Sequence, residues 1–335
     1  MATLYEIARE ANVSPSTAAR ALRGDGYCSQ DKLLRVQEAA SRLNYVRSHA
    51  ARSLKNKRTD KILFCIPDIY NPFYFRMIKG ADDVLRNEGY YVVLCHTHGE
   101  LETERNMLRN LGEGYGDAMI FVSFDFNADN IGWIAASGKP VVITNRYDDG
   151  SGANQFDSVY IDTYEGVRIA ARHFLDMGES RLGYIGGSTV TQTGRERLEG
   201  FKQAMIECGI PTRQEYLFEG DFSRESGELR MREMIERDCI PRAIVAANDL
   251  MAVGALKVCE RAGLQVPRDV AIIGMDNTDL ALSTTPELSS VIMREEEIGR
   301  LSAELLLERL KSGRKDGRTI RLEPQLALRD SSKLA

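Results

Sequence analysis

Asn12-Val13-Ser14-Pro15-Ser16-Thr17-Ala18-Ala19-Arg20-Ala21-Leu22-Arg23 has the chemistry of a short helix entered from a turn. Ser14 is placed to cap it, because its hydroxyl can accept from the open N–H groups of the next turn. Pro15 then falls at the first helical position, where its missing donor costs nothing. Upstream, Thr3-Leu4-Tyr5-Glu6 has the pattern of a capping box opening an earlier helix, with Ile7, Ala8 and Ala11 on its inner side. Two helices joined through Ala11-Asn12-Val13 form a helix-turn-helix whose second helix presents Pro15, Ser16 and Arg20 outward. The caps alone suit a surface helical hairpin equally well, so the rest of the chain has to decide.

The charge distribution favours a nucleic-acid role for the head. The 335 residues carry a net charge of −5, but residues 1–60 hold 11 Lys/Arg against 6 Asp/Glu, and the remainder 33 against 43. A basic head on an acidic body points to a polyanionic partner for the head alone. The length allows two or three domains with sizeable cores. No apolar run is long enough for a membrane span, and Met1–Glu6 has no signal-peptide pattern, so a cytoplasmic protein is expected. The six cysteines, at 28, 65, 95, 208, 239 and 259, have no CxxC spacing and mostly apolar neighbours. Reduced thiols are expected rather than a disulfide framework.

Beyond the loop Gly24-Asp25-Gly26, Ser29 can cap a third helix with Leu33, Val36, Ala40 and Leu43 at helical spacing. Leu4, Ile7, Val13, Leu22, Val36 and Leu43 are the inward candidates of this small helical unit. The connector Tyr45–Arg58 holds five basic residues and no acid. It suits either a solvated linker or a segment that orders on DNA phosphates, with Ala51 and Leu54 as its apolar edge.

From Lys61 the pattern changes to buried apolar runs alternating with helical stretches. Ile62–Ile66, Tyr91–Cys95, Ala118–Val122 and Val141–Thr144 read as strands of a parallel sheet. The alternation resumes with Ser158–Ile161, Leu182–Ile185, Ala243–Ala246 and Val270–Gly274. Two runs of similar length predict two α/β lobes with a ligand cleft outside the carboxyl ends of their strands. Polar residues recur at those ends: Asp68, Asn71–Phe75, Asn145-Arg146, Asp162, Thr191–Thr193, Arg197, Asn248-Asp249 and Asp276-Asn277. Singly each suits a cap or turn. Together with the aromatic residues among them they suit a polyhydroxylated ligand, which needs hydrogen-bond partners for its hydroxyls and ring faces for its C–H surface.

Catalytic signals are weak. Gly183–Ser188 has neither GxGxxG nor P-loop spacing, and no GxSxG occurs. His96 and His98 have no third histidine nearby and read as a surface turn rather than a metal site. Asp82-Asp83 and Glu295–Glu297 read as solvated charge on helix faces. No enzyme activity, cofactor or metal is implied.

In this order, the motifs resemble those of the lactose-repressor (LacI/GalR) family of bacterial transcription regulators over nearly the whole chain. The resemblance is carried by Thr3–Ala8, Val13-Ser14-x-x-Thr17-x-x-Arg20-x-Leu22, Leu43-Asn44-Tyr45, Asn71–Tyr74, Arg197–Phe201, Asn248–Ala255, Val266–Val270 and Gly274–Asn277. It implies an all-α helix-turn-helix domain over 1–45, a hinge over 46–60, and a two-lobed periplasmic-binding-protein-like body over 61–335 built on two doubly wound parallel sheets. Lobe 1 is expected at about 61–161 and 293–325, and lobe 2 at about 162–292 and 326–335.

By the same resemblance, Pro15, Ser16 and Arg20 contact base edges of operator DNA, while Thr3, Tyr5, Ser14, Thr17, Asn44 and Tyr45 contact phosphates. Leu54, with Ala51 beside it, enters the minor groove from a hinge helix. Effector contacts fall on Asp68, Phe73, Asn145, Asp162, Thr193, Arg197, Phe222, Asn248 and Asp276. The implied protein is a homodimeric repressor controlled by a sugar-like molecule, with no membrane partner. Two departures stand out. Arg47-Ser48 replaces the family's usual Pro-Asn, losing a restraint on φ at the hinge helix start while adding a phosphate partner. Thr191 stands where purine-binding members carry Arg, which argues against a purine co-repressor. A transport solute-binding protein and a Rossmann-type enzyme are the rival readings; the basic head opposes the first and the missing phosphate loop the second.

Overall fold

A computed structural model of the chain describes residues 2–24, 27–46, 58–147 and 156–334. The hinge residues Arg47, Ser48, Ala51 and Leu54 lie outside the described residues. Two compact units result, Met1–Arg58 and Thr59–Ala335.

The first unit consists of α1 (Leu4–Glu10), α2 (Pro15–Arg23) and α3 (Gln30–Arg42). Thr3 and Glu6 close the capping box ahead of α1, and Ser14 caps α2 by accepting from the Thr17 N–H, with Pro15 at the first position. Asn12 supplies the left-handed residue of the turn at φ 50°, a conformation asparagine tolerates better than most side chains. The core is made of small residues. Ile7, Ala8, Ala11, Ala18, Ala21, Val36 and Ala39 are buried, with Leu4, Val13, Leu22 and Leu33 packed around them. Leu43, an inward candidate by spacing, is 36% exposed; it sits at the C-cap of α3, beyond the last turn that faces the other helices.

The second unit begins with β1 (Lys61–Ile66), α4 (Phe73–Asn87), β2 (Tyr91–His96), α5 (Leu101–Gly112), β3 (Ala118–Phe121), α6 (Ala128–Ser137), β4 (Val141–Ile143) and β5 (Asp157–Ile161). There follow α7 (Thr163–Asp176), β6 (Leu182–Gly186), α8 (Gln192–Glu207), β7 (Leu217–Glu219), α9 (Arg224–Glu236), β8 (Ala243–Ala246), α10 (Asp249–Ala262) and β9 (Ala271–Asp276). The chain closes with α11 (Asp279–Leu282), β10 (Ser289–Ile292), α12 (Glu295–Ser312), β11 (Thr319–Leu322) and β12 (Gln325–Ala327).

Two six-stranded sheets form, ordered β11-β5-β4-β3-β1-β2 and β12-β10-β9-β8-β6-β7. Every pairing among the described residues is parallel except that of β12 with β10, which is antiparallel. An antiparallel edge strand on a parallel sheet is a common mixed arrangement. The central strands are apolar because helices cover both faces: Ile62 to Ile66 and Ala271 to Asp276 are buried throughout. The chain passes between the sheets after β5, after β10 and between β11 and β12. α12 returns to pack along α4 under the first sheet, and the contact is backbone to backbone. A Cβ on Gly80 would lie 2.0 Å from the Glu296 carbonyl oxygen, and one on Gly299 would lie 1.9 Å from that of Met77, so only glycine allows this approach.

A buried ion cluster fixes the end of α12 to β5. Asp157 is fully buried, and its carboxylate accepts from Arg314 Nη1 at 2.9 Å, Arg314 Nη2 at 3.0 Å and the Arg318 N–H at 2.8 Å, with Arg309 Nε at 3.2 Å. No helix among the described residues is long and apolar enough to cross a membrane.

Candidate functional site

The strand ends of both lobes converge on a cleft of about 830 Å³, counting the open solvent at its mouth. Of the nine residues expected to meet the effector, eight line it: Phe73, Asn145, Asp162, Thr193, Arg197, Phe222, Asn248 and Asp276. Asp68 is not among the lining residues. Its carboxylate accepts from the Tyr70 N–H at 2.8 Å and so shapes the loop after β1, the turn-forming role that aspartate often takes.

The eight divide into groups with free chemistry and groups committed to the scaffold. Arg197 is 8% exposed; it donates through Nη1 to the Ala247 carbonyl and lies 5.4 Å from the Phe222 ring centroid, while its Nε has no partner among the described residues. An oriented guanidinium with an unused donor is a ready partner for a ligand oxygen. Asp276 ends β9 at φ 114°, and Phe222 sits at φ 71°, both in backbone regions that side chains other than glycine seldom occupy. Such strain is held in place by the surrounding fold and concentrates at binding sites. Burial, opposed by nearby Arg197, holds the Asp276 carboxyl well above the usual carboxylate range, with Asp249 and Glu295 adding to the shift.

Asn145 instead braces the loops after β3 and β4, accepting from the Ser123 N–H at 3.2 Å and donating to the Ser123 carbonyl at 2.7 Å. Asp162 caps α7 by accepting from Glu165 N–H and pairs with Arg321 at 3.1 Å. Asn248 caps α10 and donates to the Phe222 carbonyl at 2.8 Å, fixing that ring in the cleft.

Several lining residues were not singled out as contacts by the sequence. Phe124 stacks on Phe222 across the cleft, centroids 5.3 Å apart and planes 12° apart. Gln192 keeps a buried Oε1 without a partner among the described residues, while its amide donates to Glu196 and to the Arg146 carbonyl. Asn71, Tyr74 and Glu196 also line the space. Asn71 and Gln192 were visible as polar strand-end residues; Phe124 and Glu196 carry no sequence signal beyond position. The lobes touch at the rim, where the Thr193 N–H donates to the Phe124 carbonyl at 3.2 Å and the Gln192 N–H to Asp125 at 3.1 Å. Arg195 pairs with Asp125 at 3.3 Å, and Arg76 with Asp279.

Glu295 corrects the reading of the 295–297 run as solvated. Its side chain is buried at the first turn of α12, 3.5 Å from Arg76. Glu104 is a second buried carboxylate, accepting from Asn130 Nδ2 at 3.0 Å, with its other oxygen unpaired among the described residues. Burial pushes it up to about 6 from 4.5. The folded state therefore prefers the protonated acid: the contribution is complete below pH 4.5 and is lost as pH rises through 6. Glu104→Gln is expected to raise stability above pH 7 by about 2 kcal/mol and to leave it unchanged near pH 4, a pattern that denaturant titrations at the two pH values will check.

In the helical unit, Pro15, Ser16 and Arg20 are exposed on α2, and Tyr5 is 75% exposed on α1. Ser14 Oγ lies 2.8 Å from Thr17 Oγ1 and 2.9 Å from Ser16 Oγ, so these hydroxyls form one cluster at the start of α2. The Thr3 hydroxyl is engaged with Glu6. Asn44 is exposed at φ 46°, while Tyr45 packs partly on the core.

A helical reading head joined to a two-lobed binding body is a regulator's architecture rather than an enzyme's, and relatives agree. Residues 3–48 match the family described as bacterial regulatory proteins, lacI family, and residues 171–332 match a periplasmic binding protein-like domain. The HTH-type transcriptional repressor PurR of Photobacterium profundum is 33% identical over 334 residues, 99% of each chain. A solved transcriptional regulator CelR–cellobiose complex is similar over 99% of this chain and 100% of that one, at 28% identity and TM-score 0.74. A LacI family transcriptional regulator from Enterococcus faecium with bound ribose matches 81% of this chain and 98% of that one, at 27% identity and TM-score 0.71. The chain belongs to the lacI family of bacterial regulatory proteins.

Proposed function

We propose that this protein is a cytoplasmic, homodimeric transcription repressor whose grip on operator DNA is set by a sugar or sugar derivative in the cleft. The convergence of Arg197 and Asp276 beside the stacked Phe124 and Phe222 rings carries the effector assignment. Fixed donors and acceptors beside flat apolar faces suit a cyclic polyol. The solved relatives described with cellobiose and with ribose support the same ligand class. Thr191 supports it too, since its hydroxyl is spent capping α8 and bonding the Ser188 carbonyl.

Phe73, Asn145, Asp162 and Thr193 complete the effector set, with Asp68 acting from behind through its loop. On DNA, Pro15, Ser16 and Arg20 meet base edges, Thr3, Tyr5, Ser14, Thr17, Asn44 and Tyr45 meet phosphates, and Arg47, Ala51 and Leu54 belong to the connector. Ligand binding shifts the relation of the lobes and, across the dimer, the population competent to hold two half-sites.

A thermal-shift panel of sugars, sugar acids, sugar phosphates and purine bases tests the effector class, since a cleft ligand raises the melting temperature by mass action. A purine in place of a sugar would overturn it. The salt dependence of binding to DNA upstream of the protein's own gene tests the head. Among the base-reading candidates only Arg20 has a fork suited to guanine. Arg20→Ala should therefore lose about 1–3 kcal/mol of discrimination at one operator position, read by binding to single-base operator variants. Unchanged preference would remove Arg20 from the reading set.

A further inference from the structure

We propose that Cys65 and Cys95 form an oxidisable dithiol that closes to a disulfide when a hydroperoxide reaches the edge of the first sheet. The two residues are direct partners in the parallel register of β1 and β2. Paired residues on neighbouring parallel strands project to the same face, with backbones about 4.8 Å apart. That separation falls within the Cα span of about 4.4–6.8 Å that disulfides occupy. Both side chains lie in the cluster beneath α5 with Leu63, Leu108 and Phe121. The Cys65 thiol donates to Met119 Sδ at 3.7 Å and the Cys95 thiol to the Val93 carbonyl at 3.6 Å, while the interaction between the two sulfurs holds Cys95 below and, with burial, Cys65 above the usual thiol range.

The positions divide the labour. β2 is the outer strand of its sheet, and Cys95 is half-buried there, whereas Cys65 is fully buried one strand in. An oxidant therefore meets Cys95 first. The Cys95 thiolate attacks the terminal oxygen of the hydroperoxide, the O–O bond breaks, and the alkoxide or hydroxide leaves with a proton, giving the sulfenic acid. Cys65 sulfur then attacks the Cys95 sulfur. The S–S bond forms, the S–O bond breaks, and the departing hydroxide takes the Cys65 proton as water. Two thiols and one hydroperoxide thus yield one disulfide, one alcohol (or water) and one further water. Because β2 has a neighbouring strand on one side only among the described residues, it can close the last fraction of an ångström without disturbing a second strand. Transient disulfides of this kind are the form in which reducing compartments use the bond.

Treating the full-length protein with hydrogen peroxide, then alkylating under denaturing conditions and mapping peptides by mass spectrometry, tests the proposal. Cys65 and Cys95 should lose alkylation together, the intact mass should fall by two hydrogens, and dithiothreitol should restore both. Cys28, Cys208 and Cys239, also half-buried, are internal controls that should stay alkylated. In Cys95→Ser, Cys65 should remain fully alkylated after peroxide; in Cys65→Ala, Cys95 should stop at a sulfenic acid trapped by dimedone. Continued alkylation of both thiols in the wild-type chain, a sulfinate at Cys95 with Cys65 untouched, or a bridge between two copies would each overturn the proposal.

Discussion

Arg197→Met is expected to bind the effector identified in the ligand panel about 10- to 100-fold more weakly than the wild-type chain, by calorimetric titration. Methionine keeps much of the stem that packs beside Phe222 and removes the guanidinium, so the loss reports the charge-assisted bonds rather than packing. Such bonds contribute about 1.5–3 kcal/mol each, and here the environment magnifies them. The guanidinium is almost wholly buried, is oriented by the Ala247 carbonyl and faces the buried Asp276 carboxyl. Arg197→Lys should not rescue binding, because an ammonium cannot hold the Ala247 carbonyl and present a second donor in the same plane. An unchanged affinity in Arg197→Met would place the effector outside this cleft.

Asp157→Ala should lower stability by about 3–5 kcal/mol, because it removes the buried counter-charge of two guanidinium groups and leaves them backbone carbonyls and Glu308 as partners. Arg309 and Arg314 have side chains only 10% and 13% exposed, and both face the fully buried Asp157 carboxylate. The Arg318 N–H loses its acceptor as well. For a body of this size the melting temperature should fall by about 10 °C. Asp157→Asn should fall between, since an amide oxygen still accepts from Arg318 but neutralises nothing. A melting temperature within a degree of wild type for the alanine variant would show that the backbone carbonyls of Lys315 and Asp316 and the Glu308 carboxylate suffice to hold the two arginines.

The helical unit was the most legible part of the chain because its determinants are local. Ser14-Pro15 and Thr3/Glu6 state their roles within four residues, and Ser14 and Thr3 do cap as the spacing requires. The cleft was legible for a different reason: parallel strands deliver their carboxyl ends to one side, so polar residues following apolar runs converge without any contact being known in advance. What stayed hidden depends on partners distant in sequence. β11 and β12 are short edge strands with half-exposed residues, and no apolar run marks them. α9 buries residues such as Ser226, Gly227 and Glu228, which patterning reads as polar surface. Glu295 looks solvated within a run of three acids, and only the arrival of Arg76 from α4 explains its burial.

The return of the chain to the first sheet bears on synthesis. β5 ends at Ile161, but its outer neighbour β11 begins at Thr319, and α12, which covers that sheet, begins at Glu295. At about 5–20 residues per second, a ribosome needs roughly 10–30 s to cross that interval. Throughout it the nascent first lobe has an open strand edge beside β5 and an uncovered face along α4, while the second lobe is made and folds as an insert. The lobe begun first thus waits for the penultimate strand of the chain, and a chaperone that shields strand edges has its longest window there.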